Sequence, residues 1–418
     1  MLARKHRVLV VSQGIPHPER GASTVLFYSY IDALRENGYS VLNILLLQND
    51  DYSDENLSQY EELICRDGNV EIFPCKSERL ITSSRFRHRL VVSPPISMVK
   101  AVEKFCPDTV FCLDLMSAWF SLKLSFSCPQ VVWLGDLNFQ SYWYNSLYGR
   151  REGTIPFWQL VWAVAQRYAW RKIYRRVLVN FEKVIVSSKS SEPALADIGI
   201  DSTYLPYPWP SPFDKKQMKF ECPEIPTFVF FGTLQALGSR SAFHFLIDKV
   251  YPLAVNKFGK NKFSIKISGQ GTLPEWAAVK LIDMTEVEFV GFVDDLGEFF
   301  SQAHAMIAPI DVPVGNRSRI VTAMAAGLPI IAHENTVLGN PDLIDKENCL
   351  LARTPEEFVT GMHTIFKHPD IREVISGQAL RVYQEKFSPK RATEALMNEI
   401  FFTNKSTSGN IPSIKGEV

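Results

Sequence analysis

The chain has no charge excess. Its 45 basic and 45 acidic side chains leave a formal net charge of +0. Proteins that bind nucleic acid carry a basic surplus to neutralise phosphates, so no nucleic-acid partner is expected. Long apolar runs are also missing, and nothing approaches the roughly 18 apolar residues of a membrane-spanning helix. The opening run in "MLARKHRVLVVSQG", Val8 to Ser12, is too short for a signal-peptide core and reads as a first buried strand. The seven cysteines, at 65, 75, 106, 112, 128, 222 and 349, are odd in number, scattered and without a CxxC pair. That disfavours a disulfide framework or zinc site and suits a reducing cytosol. No acidic cluster suggests a metal, so none is expected. GxGxxG does not open a helix after the first strand, which removes the main signature of a dinucleotide oxidoreductase.

What is present is a rhythm. Short Val/Ile/Leu runs alternate with longer amphipathic segments, the pattern of α/β folds. "HRVLVVSQ", "YSVLNILLL", "NVEIFP", "TVFCL", "QVVWLG" and "KVIVSS" read as strands in the first half. "TFVFFG", "KFSIKISG", "VEFVGFV", "AMIAPI" and "LPIIAH" read as strands in the second. Continuous rather than alternating apolar runs suit parallel sheets covered on both faces. The stretch 201–226 breaks the rhythm with six of the 25 prolines and reads as an interdomain linker. The expected organisation is a Rossmann-like domain over 1–200, a linker over 201–226, a second Rossmann-like domain over 227–402, and a disordered tail over 403–418. Two such domains place a ligand cleft between the carboxyl ends of their sheets.

The polar residues of interest fall just after strands. After "AMIAPI" comes "VGNRSRIVTAMAAG", in which Gly315 and Asn316 allow tight backbone geometry. Arg317 and Arg319 bring two cations to a helix start, where the helix dipole disfavours them, so a compensating anion is expected. The amides of Ser318 and Arg319 would point at it; a solvated basic helix start is the plainer alternative. Glycine turns follow three further strands, at Gly232-Thr233, Gly269-Gln270-Gly271 and Gly291. In the first half, Gly21 of "PERGAS" allows a close backbone approach at the first helix. Asp136 ends "QVVWLG" and either faces the cleft as a base or sugar ligand, or caps a helix. The helix at 156–178 mixes Trp158, Trp162, Tyr168, Trp170 and Tyr174 with Arg167, Arg171, Lys172, Arg175 and Arg176, and "SERLITSSRFRHRL" adds basic charge. Such a helix either lies on an anionic membrane surface or packs on the sheet with a wet basic face. His17 and His244 are lesser acid/base candidates.

The second half resembles the nucleotide-sugar-binding half of GT-B glycosyltransferases, the retaining group 1 (family 4-like) type. The matching segments are "FFGTL", "IKISGQG", "VEFVGFVDDLGEFFSQAHAMIAPI" and "VGNRSRIVTAMAAGLPIIAH". The first half is similar more weakly, through "RGASTVLFYSYIDALRENGYSV" and "VVWLGDLNFQSYW", and bacterial surface-polysaccharide members are the nearest in character. The resemblance implies an α/β fold of two Rossmann-like domains facing each other across a cleft. It implies that Gly315, Asn316, Arg317, Ser318 and Arg319 hold the diphosphate of a nucleoside diphosphate sugar, with Gly21 across the cleft. Gly232, Thr233 and Arg240 fall in the phosphate-ligand region, and Gly291, Phe292 and Val293 line the base pocket. Asp136 takes the catalytic position. The family's two motif glutamates fall on Val314 and Thr322 here; the second, ribose-contacting position is thus a threonine, and the second glycine of the first turn is Ala22.

The expected activity is transfer of a sugar from a nucleoside diphosphate sugar to a lipid-linked or cell-surface glycan acceptor. No cofactor is expected beyond the donor itself. The alternative is a non-catalytic protein of the same fold that binds a nucleotide sugar or glycan. The expected location is the cytoplasm, with a peripheral contact at the inner face of the plasma membrane under the membrane reading of the aromatic and basic helix.

Overall fold

The computed structural model describes residues 5–401 apart from 20, 22, 49–52, 84–86, 214–219 and 222. The tail assigned to 403–418, Ala22 and Cys222 lie outside the described residues. The first sheet contains β1 (Arg7–Gln13), β2 (Ser40–Gln48) and β3 (Val70–Ser77). After a two-stranded hairpin of β4 (Ile81–Ser83) and β5 (His88–Leu90), the sheet continues with β6 (Thr109–Leu113), β7 (Gln130–Leu134), β8 (Lys183–Val186) and β9 (Thr203–Tyr204). Its order is β3-β2-β1-β6-β7-β8-β9, and every pairing is parallel. Val8 to Val11 of β1 are fully buried because helices cover both faces. Val8 and Val10 face Tyr30 and Trp133, whereas Leu9 and Val11 face Met98 and Trp119.

The second sheet holds β10 (Thr227–Phe231), β11 (Ser264–Ser268), β12 (Val287–Gly291), β13 (Ala305–Ala308), β14 (Ile330–His333) and β15 (Leu350–Ala352), in the order β12-β11-β10-β13-β14-β15. It is also parallel throughout. Phe228 and Phe230 of β10 are completely buried. Burial of each such ring contributes on the order of 2–3 kcal/mol. Chain order reverses between β1 and β6 in one sheet and between β10 and β13 in the other. Those switch points open crevices at the strand carboxyl ends, where ligands bind in such sheets. The α/β class with two Rossmann-like domains is therefore the observed architecture.

Three details depart from the sequence reading. The short β4, β5, β9 and β15, at two or three residues each, carry no period to read. The described part of the stretch read as a linker also carries a strand and docks on the rest: β9 joins the first sheet, Tyr207 is fully buried, and the Trp209 amide donates to the Phe387 carbonyl at 2.8 Å. Finally, the helix Pro389–Phe401, counted by sequence with the second domain, packs on the helix Ser23–Glu36 of the first. There Phe401 stacks on Tyr39 at 4.8 Å, and Lys183 pairs with Glu399 at 3.2 Å.

Candidate functional site

The loop after β13 faces the end of β7 across the cleft. Gly315 has φ 87°, and a Cβ there would lie 3.0 Å from Asp136 Oδ2. Glycine is needed both for the backbone angle and for the carboxylate's approach. The Asn316 amide then donates to Asp136 Oδ1 at 3.0 Å. Asp136 is not a helix cap: the following helix, Asn138–Arg151, has Leu137 at its N-cap and no side-chain cap bond. The carboxylate opens onto the cleft, yet protein from both domains surrounds it. Its pKa is raised by that loss of bulk water and held back by the Asn316 amide and the Arg317 charge.

Both arginines sit at the start of the helix Ser318–Ala326, whose N-cap, Arg317, makes no side-chain cap bond. The first-turn amides of Ser318 and Arg319 have no intrahelical partners by construction. Arg317 is only 6% exposed. Its Nη2 donates to the Val312 carbonyl at 2.5 Å, and its Nε is buried without a partner. Arg319 donates from Nη1 to Ser239 Oγ at 2.7 Å, and its guanidinium carbon lies 5.7 Å from the Phe230 ring centre. A Cβ at Gly232, φ 135°, would lie 2.9 Å from that guanidinium, so the glycine turn after β10 admits the arginine. Burial lowers both arginine pKa values to about 10. Asp136 offsets the effect for Arg317, whereas Arg317 adds to it for Arg319. Among the described residues no carboxylate forms an ion pair with Arg319.

These groups line a cavity of about 280 Å³ whose walls include Asp136, Gly238, Asn316, Arg317, Ser318 and Arg319. Val314 also lines it. A second cavity of about 540 Å³ lies in the first domain and shares Ser141 and Asn145 with it. Asp114 lines this one at the carboxyl end of β6, at the switch point, with the strained φ of 75°. Burial pushes its pKa up to about 6; the Leu115 amide opposes this, and the Asp136 charge adds to it. The sequence reading missed Asp114, although "TVFCLD" ends a strand in an aspartate much as "QVVWLGD" does.

Other candidates are placed elsewhere. Arg240 is off the cavity wall, its Nε donating to Glu152 Oε1 of the first domain at 3.0 Å and its Nη2 buried without a partner. His244 meets the same carboxylate at 3.1 Å and stacks on Trp276, a packed position. Thr233 caps a turn, its carbonyl accepting from the Ala236 amide at 3.0 Å. Gly291 accepts from the Gly269 amide and Ser268 Oγ, Phe292 is exposed, and Val293 follows them at the sheet's other edge, outside the cavity lining. Gly21 has φ 78°, and a Cβ there would meet Thr24 Oγ1 at 2.4 Å, but it lines neither cavity. The His17 ring accepts the Glu19 amide at 3.0 Å.

Thr322 is buried behind the loop rather than on the wall. Its hydroxyl accepts the Trp209 indole N–H at 2.8 Å and donates to the Ser318 carbonyl at 3.1 Å. The position where the resembled family carries a ribose-contacting glutamate is here engaged with a tryptophan of the interdomain stretch.

Residues 225–368 match the family model described as glycosyl transferases, group 1. No curated protein matches the chain by sequence. Solved structures resemble it along nearly its whole length at low identity. Sucrose-phosphate synthase from Thermosynechococcus elongatus is 15% identical, with a TM-score of 0.59 over 94% of this chain and 98% of that one. HepE of Anabaena in complex with UDP is 14% identical, with a TM-score of 0.61 over 94% and 99%. TarM of S. aureus is 11% identical, with a TM-score of 0.63 over 96% and 99%. The chain thus has the two-domain GT-B fold, and its second domain matches the group 1 glycosyl transferases.

Proposed function

We propose that the protein is a glycosyltransferase that moves a sugar from a nucleoside diphosphate sugar to a lipid-linked or cell-surface glycan acceptor, with retention, in bacterial polysaccharide biosynthesis. The observation that carries this reading is Arg319, a half-buried cation with no carboxylate partner among the described residues, beside the buried Arg317 and two first-turn amides. Together they form a cradle whose charge calls for a diphosphate. HepE has been solved with UDP-glucose, so UDP-sugars are the first donors to try.

In this reading Arg317, Arg319 and the amides of Ser318 and Arg319 stabilise the charge that develops on the departing diphosphate. Asp136 occupies the Asn316 amide until the donor enters and is then free to act at the reacting carbon's side of the cleft. Gly21 approaches the diphosphate from the first domain, and Gly291 to Val293 border the base. The neighbouring cavity with Asp114 takes the acceptor. Arg240 reaches the donor only by leaving Glu152. No metal or other cofactor is assigned. The protein works in the cytoplasm, peripherally at the inner face of the plasma membrane.

The test is a melting-temperature screen of UDP-, GDP-, ADP- and CMP-sugars, followed by an assay for released nucleoside diphosphate. Release that disappears in Arg319→Ala supports the reading. The engagement of Thr322 with Trp209, and the valine at 314, favour a second reading: a non-catalytic nucleotide-sugar or glycan binder. Binding that shifts the melting temperature with no release from any donor would establish that second reading instead.

A further inference from the structure

The helix Phe157–Leu178 carries its exposed residues in two blocks. Phe157, Val161, Val164 and Tyr168 follow spacings of four, three and four, so they share one face, and Trp158 flanks them. These side chains are 54–69% exposed, a continuous apolar stripe rather than single apolar residues. Beyond Tyr168 the same face turns cationic, with Arg171, Lys172, Arg175 and Arg176. Lys172 and Arg176 then line a cavity of about 520 Å³ together with Arg87 and Arg89 of the β4–β5 hairpin and Lys123. Five cations and no carboxylate border it. Lys123 is fixed there by bonds to the Val92 carbonyl at 2.7 Å and Ser93 Oγ at 3.2 Å, and Arg176 lies over the Trp119 ring at 5.3 Å. On a chain of zero net charge this local cation density is a strong local asymmetry.

We propose that this face docks on an anionic phospholipid surface, the apolar stripe entering the acyl boundary and the basic cavity receiving a headgroup phosphate. The helix is about 33 Å long and can lie flat; no helix among the described residues is long and apolar enough to cross a membrane. An apolar stripe beside a cation cluster is the physical form of an interfacial helix, and the charge complementarity selects an anionic lipid over a second copy of the chain. The inference gives the peripheral-membrane reading its contact surface. It does not depend on sugar transfer.

The experiment is co-sedimentation of the full chain with vesicles of phosphatidylcholine alone, or with about 30 mol % phosphatidylglycerol, at low and high salt. Binding to the anionic vesicles that weakens with salt, and falls at least about tenfold in Lys172→Glu/Arg176→Glu, is expected. Val161→Ser/Val164→Ser lowers it as well. Unchanged melting temperatures in both variants confirm intact folds. Wild-type protein that binds anionic vesicles as tightly as the charge-reversed variant overturns this surface while leaving the peripheral reading in place. Wild-type protein that binds no vesicle overturns both. Binding of inorganic phosphate that the charge reversal abolishes, without any vesicle binding, assigns the cavity to a free anion and also overturns the lipid assignment. A stable dimer dispersed by Val161→Ser/Val164→Ser does the same in favour of a second copy.

Discussion

At the scale of single residues, the proposed diphosphate site turns on Arg319. Its guanidinium has a serine hydroxyl and an aromatic face but no acid, and burial has already lowered its pKa to about 10. Arg319→Ala should weaken nucleoside diphosphate binding by about 10- to 100-fold, the worth of one or two charge-assisted hydrogen bonds; calorimetric titration reads this directly. Thr322 calls for the opposite result. Thr322→Val leaves the Trp209 N–H unpaired and should cost about 1–2 kcal/mol in urea unfolding, with donor affinity unchanged. A drop in affinity without loss of stability would place Thr322 in the donor site. Asp114 gives a pH signature. With its carboxyl raised from 3.8 to about 6, the ionised form opposes folding above that pH, and the penalty fades as pH falls toward 3.8. Asp114→Asn should therefore stabilise the fold by up to about 2–3 kcal/mol at pH 7 and by almost nothing at pH 4, as unfolding midpoints across pH would show.

At the scale of elements, the two domains meet through the end of the helix Asn138–Arg151. Glu152, just beyond it, is almost buried and accepts from Arg240 and His244 of the helix Leu237–Phe245. Tyr148 of the same helix bonds Asp311 in the second domain. Glu152→Ala leaves a partly buried arginine without its acid and should cost up to about 3 kcal/mol, with Glu152→Gln much milder; denaturant curves separate the two. This interface marks where the sequence stopped being legible. The strands, the glycine turns and the arginines at a helix start are written locally, in apolar runs and in backbone angles that only glycine meets easily. The Asp136–Asn316 contact was half legible, since the strand end placed the aspartate but not its partner. The pairing of Arg240 with Glu152 and of Thr322 with Trp209 joins residues 88 and 113 positions apart. No local pattern encodes such meetings, and charge or hydroxyl type alone gives no partner.

For the whole molecule, the division into halves at the proline-rich stretch describes the sheets but not the helix layers. Leu396 and Ile400 of the last helix are buried in the core that Tyr30 and Leu34 share. Ile400→Ala should cost about 2–4 kcal/mol, and amide exchange should quicken in the helix Ser23–Glu36 rather than in the second sheet. The same crossing has a consequence during synthesis. All strands of the first sheet have been synthesised once the chain reaches Tyr204, yet the helix that packs on Ser23–Glu36 is still roughly 200 residues away. At cellular elongation rates that is a wait of about 10–40 s. Until then the apolar side chains that the helix Pro389–Phe401 covers on the first domain stay uncovered, so the newborn chain is expected to need chaperone protection through that interval.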